Sequence, residues 1–246
     1  MTPVLTLGLL QCGFVHPDAL HHGGDYPELF AGLFEPLGIS VRPYEVYKGE
    51  IPNSLSDCQG WITSPSRSSV YDQSPWINSA LEIVRELVSD QHRFAGICFG
   101  HQLIAQAFDG VVQRSPGGWG VGLKRYEILK QHHWMSPPAS SITLVASHED
   151  QVTRLPTGGE LFATAPYCPL AGFTLGTNTL AIQPHIEFTP EISATLTELR
   201  RDLIGHKLAS EALASLSQHC DRTLVAGWIA NFLFGDAYSG GSLPDR

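Results

Sequence analysis

An α/β sandwich built on a mainly parallel sheet is what this sequence predicts, and three observations carry the prediction. Over the first 110 residues, short apolar runs alternate with segments whose apolar residues recur at helical spacing, in the order strand, helix, strand, strand, helix, strand, helix. The connections are short and marked by Gly, Pro, Ser and Asn, as expected where helices cross between parallel strands. After Gly110 alternating strand-like stretches follow one another between Pro- and Gly-rich turns, which predicts a strand-rich, partly antiparallel portion. A helical C-terminal segment completes the pattern.

The first strand is Val4-Leu5-Thr6-Leu7-Gly8-Leu9-Leu10. It has no basic flank before it and no small-residue cleavage site after it, so it reads as a strand and not as a signal peptide. Residues 11–25 are rich in Gly and His and read as a loop. Within it His21 and His22 are adjacent, would face opposite ways in extended chain, and lack a third ligand, so a solvated loop is the better reading than a metal site. Leu29, Phe30, Leu33, Phe34 and Leu37 form a helical stripe closed by Gly38. Residues 39–44 are strand-like, 49–57 a connection, and Gly60-Trp61-Ile62-Thr63 a further short strand. The last opens into a polar loop, 64–72, which either presents backbone N–H groups to a ligand or is an ordinary surface connection. Ser74-Pro75 is a helix start with Pro at the first position, and Ile77, Leu81, Val84, Leu87 and Val88 give the buried face of a helix ending near Ser89.

In the second half, residues 117–122 form a glycine-dense turn. No helix pattern follows it, so it is not a dinucleotide fingerprint. Strands are predicted over 123–129, 142–146, 161–165, 171–175 and 180–183, with His132-His133-Trp134 in a loop. From Thr189-Pro190 onward the chain is helical, with one stripe at Ile192, Leu196, Leu199 and Leu203, a second at Leu208, Leu213 and Leu216, and a third at Leu224, Ile229, Phe232 and Leu233.

The 246 residues suffice for one sizeable core, which favours a single domain: a core to about residue 205, a helical extension over about 206–236 and a flexible tail over 237–246. Net charge is −9 with no basic cluster, which argues against nucleic acid or an anionic membrane surface as partner. No apolar run reaches membrane-spanning length. The five cysteines are odd in number and form no C-x-x-C pair, so neither a disulfide framework nor a zinc site is indicated, and a reducing cytoplasm fits best. The glycine clusters lack the lysine of a phosphate-binding loop, and no cofactor or metal is expected.

One stretch carries chemistry. The apolar run Phe94-Ala95-Gly96-Ile97 ends at Cys98, glycines stand two residues to either side, and a helical pattern follows from Gln102 to Phe108 before stopping at Asp109-Gly110. Strand, sharp turn and helix with a nucleophile at the turn is the layout of a nucleophile elbow, and the helix N-terminus favours a thiolate there. The plainer reading is a small buried cysteine in a tight turn. A reacting thiol needs a base, and the base an orienting carboxylate. His185 and Glu187 stand two apart after a strand and can face one pocket. His148 and Asp150 have the same form. His101, one helical turn past Cys98, has no local carboxylate. Spacing does not choose between His185 and His148.

Gly96-Ile97-Cys98-Phe99-Gly100-His101-Gln102 resembles the nucleophile segment of class I glutamine amidotransferases. Pro184-His185-Ile186-Glu187 resembles their H-x-E segment, and Ser147-His148-Glu149-Asp150-Gln151-Val152, followed by Leu155-Pro156, resembles the loop that helps hold glutamine. The likeness covers roughly residues 50–190. Within the family it is strongest to stand-alone proteins related to the glutaminase domain of GMP synthase, a group that includes γ-glutamyl peptidases.

The resemblance implies a flavodoxin-like, three-layer fold, with Cys98 as nucleophile, His185 as general base and then acid, and Glu187 as its orienter. It implies an oxyanion hole of backbone N–H groups, Phe99 being one. Many members have Gly-Gly-Pro where this chain has Pro65-Ser66-Arg67; Pro65 has no N–H, so the second donor is assigned to Ser66. Gln102, Ser147 and His148 are implied as substrate contacts. The implied activity is hydrolysis of the γ-amide of glutamine through a Cys98 thioester, the ammonia passing to a separate synthetase partner. The alternatives are a stand-alone hydrolase acting on another γ-glutamyl compound, amide or peptide, and a non-catalytic regulatory protein.

Overall fold

The computed structural model describes residues 5–235; the tail expected over 237–246 lies outside the described residues. One nine-stranded sheet runs through the molecule. Its parallel part contains, in spatial order, β2 (Ile39–Tyr44), β1 (Leu5–Leu10), β3 (Gly60–Thr63), β4 (Phe94–Ile97) and β11 (Thr179–Ile182). All four pairings among them are parallel, and the order of the first four strands is that of flavodoxin-like sheets. The sheet continues antiparallel through β10 (Cys168–Leu175), β9 (Gly159–Ala165), β6 (Gly120–Ile128) and β7 (Ser141–His148). A separate ribbon pairs β5 (Val111–Arg114) with β8 (Asp150–Arg154).

Two hydrophobic cores explain the three layers. Leu7 and Leu9 of β1 point into one, with Phe30 and Phe34 of α1 (Tyr26–Phe34) and Trp228 and Ile229 of α7 (Arg222–Phe234). Trp61 and Phe94 point into the other, with Ile77, Val84 and Leu87 of α2 (Pro75–Ser89) and Leu103 and Ile104 of α3 (Phe99–Ala107). Strands covered on both faces need apolar residues at every position, which is why β1, β3 and β4 read as unbroken apolar runs. The start of α2 is as expected, with Ser74 at the cap and Pro75 first in the helix. Among the described residues no helix is long and apolar enough to cross a membrane.

Several local expectations are corrected. The turn expected over 117–122 ends at Trp119, and β6 already begins at Gly120. Gly122 has φ +77°, and a Cβ there would stand 2.7 Å from Ala212 Cα, so its bare backbone lets α6 (His206–Ser215) pack directly on β6. That close approach also explains why Ala209 and Ala212 form the buried face of α6 while Leu208, Leu213 and Leu216 are half-buried. The stripe Ile192, Leu196, Leu199, Leu203 breaks. α4 (Pro190–Leu199) ends at Arg200, where φ −107° and ψ 12° leave the helical region, and α5 (Arg201–Ile204) restarts out of phase. Leu199 and Leu203 are therefore exposed, and Ile204 is buried instead.

Helix α7 is apolar nearly all round because it is covered on two sides. It contacts β3, β4 and α1, and the loop containing His132-His133-Trp134 lies over it. Trp228 Nε1 donates to the Pro137 carbonyl at 2.8 Å and Asn231 Nδ2 to the Trp134 carbonyl at 3.1 Å. The 11–25 loop is held from within. Asp25 accepts from Val15 N–H at 2.7 Å and from Gln11 Nε2 at 3.0 Å, while its own N–H donates to Glu28 Oε2 at the start of α1. His21 is exposed, and His22 Nε2 lies 3.0 Å from Thr195 Oγ1.

Candidate active site

Three segments meet at the carboxyl ends of the parallel strands, where open α/β sheets place their ligands. They are the turn after β4, the segment after β11, and the loop after β3. The β7–β8 corner closes the ring from the antiparallel side. Cys98 occupies the turn after β4 with φ +51° and ψ −97°, a strained conformation for a residue with a side chain. Its N–H donates to Ile182 O of the neighbouring strand at 2.9 Å, and its carbonyl accepts from Gln102 N–H at 3.1 Å, so both sides of the turn are tied down.

The glycines flanking Cys98 are there for contact. A Cβ on Gly96 would stand 2.5 Å from Ile104 Cδ1, and one on Gly100 would stand 1.7 Å from Thr63 Oγ1. Thr63 Oγ1 itself accepts from Ile97 N–H at 3.1 Å, so it cannot yield without breaking a bond next to Cys98. Gly100→Ala is expected to destabilise the fold by about 3 kcal/mol or more, read as a lowered denaturant midpoint at unchanged slope. A variant as stable as wild type would contradict this packing.

His185 and Glu187 leave β11 on the same side. His185 Nδ1 lies 2.7 Å from Glu187 Oε1, which fixes the tautomer with Nδ1–H donating and Nε2 turned away from the carboxylate. The ring stacks on Phe188, centroids 4.2 Å apart and planes 7° from parallel, and His185 N–H donates to Val145 O of β7 at 2.9 Å. Arg222 pins the backbone here, with Nε to Ile186 O at 3.1 Å and Nη2 to Glu187 O at 3.0 Å. Burial opposes charging the ring, but the neighbouring Cys98 sulfur and the Glu187 carboxylate together outweigh it and lift His185 to about 10. His185 Nε2 has no hydrogen-bond partner among the described residues.

The other two imidazoles differ. His148 Nδ1 faces the backbone carbonyl of Asp150 at 3.1 Å, and the Asp150 carboxylate is taken by Ser69 Oγ and by Tyr71 OH at 2.9 Å. His101 Nε2 faces Leu170 O at 3.0 Å, and its ring lies against Phe173, 4.9 Å between centroids. Burial depresses both to about 3, the charge on His185 adding to the effect at His148.

These shifts set a pH signature for stability. Below the ordinary histidine value of 6.5, His101 and His148 protonate in the unfolded chain but not in the fold, so stability falls as pH drops from about 6.5 toward about 3. His185 works the other way. Its contribution is full below about 6.5 and is lost as pH rises toward about 10. Unfolding midpoints measured across pH are expected to peak near neutrality, and a profile rising steadily from pH 4 to 10 would contradict the assignment of the three rings.

The remaining expected residues surround a cleft of about 450 Å³ whose lining includes Ser66, Cys98, Phe99, Gln102, Ser147 and His148. A small crevice of about 20 Å³ runs along His185 and shares Ser66 and Ser147 with the cleft. Phe99 opens α3, where no helical carbonyl can reach its N–H, and Ser66 N–H has no backbone acceptor among the described residues. Gln102 Nε2 donates to Asp150 O at 2.9 Å and to Gln183 Oε1 at 3.2 Å, and Ser147 Oγ accepts from Arg200 Nη1 at 3.0 Å.

Sequence reasoning alone misses Gln183. It is fully buried, and its Nε2 lies 3.5 Å from Cys98 Sγ, linking the sulfur to Gln102. The available signal is a polar residue directly after a four-residue strand that pairs with β4, the strand leading to Cys98. All five cysteines are free, and burial pushes Cys12 and Cys168 up to about 12, so those two thiols stay protonated.

Comparison with known proteins agrees with this architecture. The chain is 28% identical to γ-glutamyl peptidase 3 of Arabidopsis thaliana over 224 residues, covering 86% of this chain and 90% of that protein. It is 25% identical to a glutamine-hydrolyzing GMP synthase subunit of Methanococcus maripaludis over 176 residues, 72% of this chain and 87% of that one. The crystal structure of a glutamine amidotransferase from Thermotoga maritima superposes with a TM-score of 0.77 at 16% identity, over 94% of this chain and 99% of that chain, a likeness of fold. The family model described as glutamine amidotransferase class-I matches residues 32–198, from α1 through the Cys98 turn and the His185 segment into α4. With about two thirds of its length matched, this chain belongs to the class-I glutamine amidotransferase family.

Proposed function

We propose that this protein hydrolyses γ-glutamyl amide bonds through a thioester on Cys98, and that γ-glutamyl peptides are its substrates. The observation that carries the reading is a cysteine held at positive φ, with a carboxylate-oriented imidazole on the adjoining segment, at the wall of an open cleft. In this reading the Cys98 thiolate attacks the γ-carbonyl, and the oxyanion is stabilised by the N–H groups of Phe99 and Ser66. His185, charged beside Glu187, gives its proton to the departing amine. The neutral ring then takes a proton from water, which cleaves the thioester to glutamate. Gln102, Ser147 and His148 contact the γ-glutamyl group. Relatives matched along most of their length carry the name γ-glutamyl peptidase.

A second reading is a glutaminase that passes ammonia to a separate synthetase. It is favoured by the likeness to the Methanococcus GMP synthase subunit, which is matched over 87% of its length. One assay separates the two. Purified protein is given glutamine and a set of γ-glutamyl dipeptides, and free glutamate is measured. Turnover of the dipeptides without a partner is the expected result. Turnover of glutamine only, and only after a synthetase is added, supports the second reading, and silence on every compound favours a non-catalytic protein.

A further inference from the structure

Two arginines beside the nucleophile have no carboxylate. Arg200 stands at the break between α4 and α5, half-buried, with Nη1 on Ser147 Oγ at 3.0 Å and its guanidinium 5.6 Å from the centre of the Trp119 ring. Arg67 lies in the loop after β3, 4.9 Å over the Phe14 ring. Neither enters an ion pair among the described residues, although the chain carries 24 acidic residues against 15 basic ones. The third arginine of the cleft, Arg114, does have a partner, Glu149 at 2.7 Å.

Their position puts them on the His185 side of the site. Arg67 and Arg200 line both the main cleft and the crevice along His185, as Ser66 and Ser147 do, whereas Gln102, His148 and Asp150 line the main cleft alone; the two serines mark where the cavities join, and the arginines stand at that junction. The group that leaves must depart within reach of the imidazole that protonates it, so whatever is attached to the leaving nitrogen lies on the His185 side. Burial and the neighbouring Arg67 both make the charge on Arg200 harder to hold, which an incoming anion would relieve. A guanidinium fork matches a carboxylate in shape and charge.

Resting on the hydrolase reading above, we infer that Arg67 and Arg200 form the subsite for a carboxylate on the leaving group, so that the preferred substrates are γ-glutamyl peptides whose leaving amino acid ends in a free carboxylate. Ammonia, the leaving group of glutamine, has nothing for this subsite to hold.

The test compares γ-glutamyl-alanine with γ-glutamyl-alaninamide, which differ only in that carboxylate. Wild-type protein is expected to show kcat/KM about tenfold to a hundredfold higher for the free acid, the range for a charge-assisted hydrogen bond. Arg200→Gln and Arg67→Gln are each expected to bring the ratio toward one, and Arg200→Lys to restore part of it. Arg67 is exposed, so its variant tests the charge without disturbing the core, and the unfolding midpoint of Arg200→Gln is measured alongside. Equal rates for the two compounds in wild type overturn the subsite while leaving the hydrolase reading intact. So does an equal fall for both compounds in the arginine variants, which would put the guanidiniums on the α-carboxylate of the γ-glutamyl group. Silence on both compounds contradicts the hydrolase reading and the subsite with it.

Discussion

Replacing Cys98 with alanine is expected to lower γ-glutamyl amide hydrolysis by about 10⁴- to 10⁶-fold, the loss seen when a nucleophile that acts as a unit with its base is removed. No other sulfur can take over. Cys12 and Cys168 are held protonated by burial at about 12, and neither Cys12 nor Cys58 nor Cys168 nor Cys220 lines the cleft. The variant should fold normally. Cys98 is 5% exposed in the core, its side chain accepts one long hydrogen bond, from Gln183 Nε2 at 3.5 Å, and alanine keeps the Cβ and removes only the sulfur. The elbow's backbone bonds, to Ile182 O and from Gln102 N–H, do not depend on the side chain. Release of glutamate by the purified variant measures the effect, and activity within tenfold of wild type would remove Cys98 from the reaction.

His185→Ala is expected to cost about 10²- to 10⁴-fold in kcat/KM, the range for a lost general acid–base, and far more than His148→Ala. The two rings are alike in the sequence, each two residues before an acid. In the structure they differ in what the acid does. Glu187 faces the His185 ring directly, whereas the Asp150 carboxylate is turned to Ser69 and Tyr71, leaving His148 a backbone carbonyl. The electrostatic consequence is opposite: His185 is lifted to about 10 and carries a proton at neutral pH, while His148 is depressed to about 3 and does not. His185→Ala also strands Glu187 at 0% exposure, and removing one partner of a buried pair costs about 3–5 kcal/mol of stability. His185→Asn, which can still donate to Glu187, keeps the kinetic reading separate from that loss. A larger fall for His148→Ala than for either His185 variant would reverse the assignment.

The parallel half of the fold was legible because its physics is local and repetitive. β1, β3 and β4 are apolar at nearly every position, Gly38 with φ +78° closes the 3₁₀ turn that follows the first helix, and Ser74-Pro75 opens the second. The turn at Cys98 was legible because only glycines fit at 96 and 100. The β5–β8 ribbon was not, since Val-Val-Gln-Arg and Asp-Gln-Val-Thr-Arg show no period until they are paired. Leu199 and Leu203 misled because the helix breaks at Arg200 and restarts out of phase, a break that the apolar spacing does not mark. Arg200 is hidden for the same reason, since an arginine after a helix reads as solvated until Ser147 and Trp119 are found beside it.

Mass spectrometry of the protein after incubation with a diazoketone analogue of glutamine shows which sulfur reacts, because such a compound alkylates the thiolate that is aligned with the γ-carbonyl. One label per chain is expected, on the peptide carrying Cys98, with activity lost in proportion and with glutamine or a γ-glutamyl peptide protecting. Label on another cysteine, or full activity with Cys98 alkylated, would contradict Cys98 as the nucleophile.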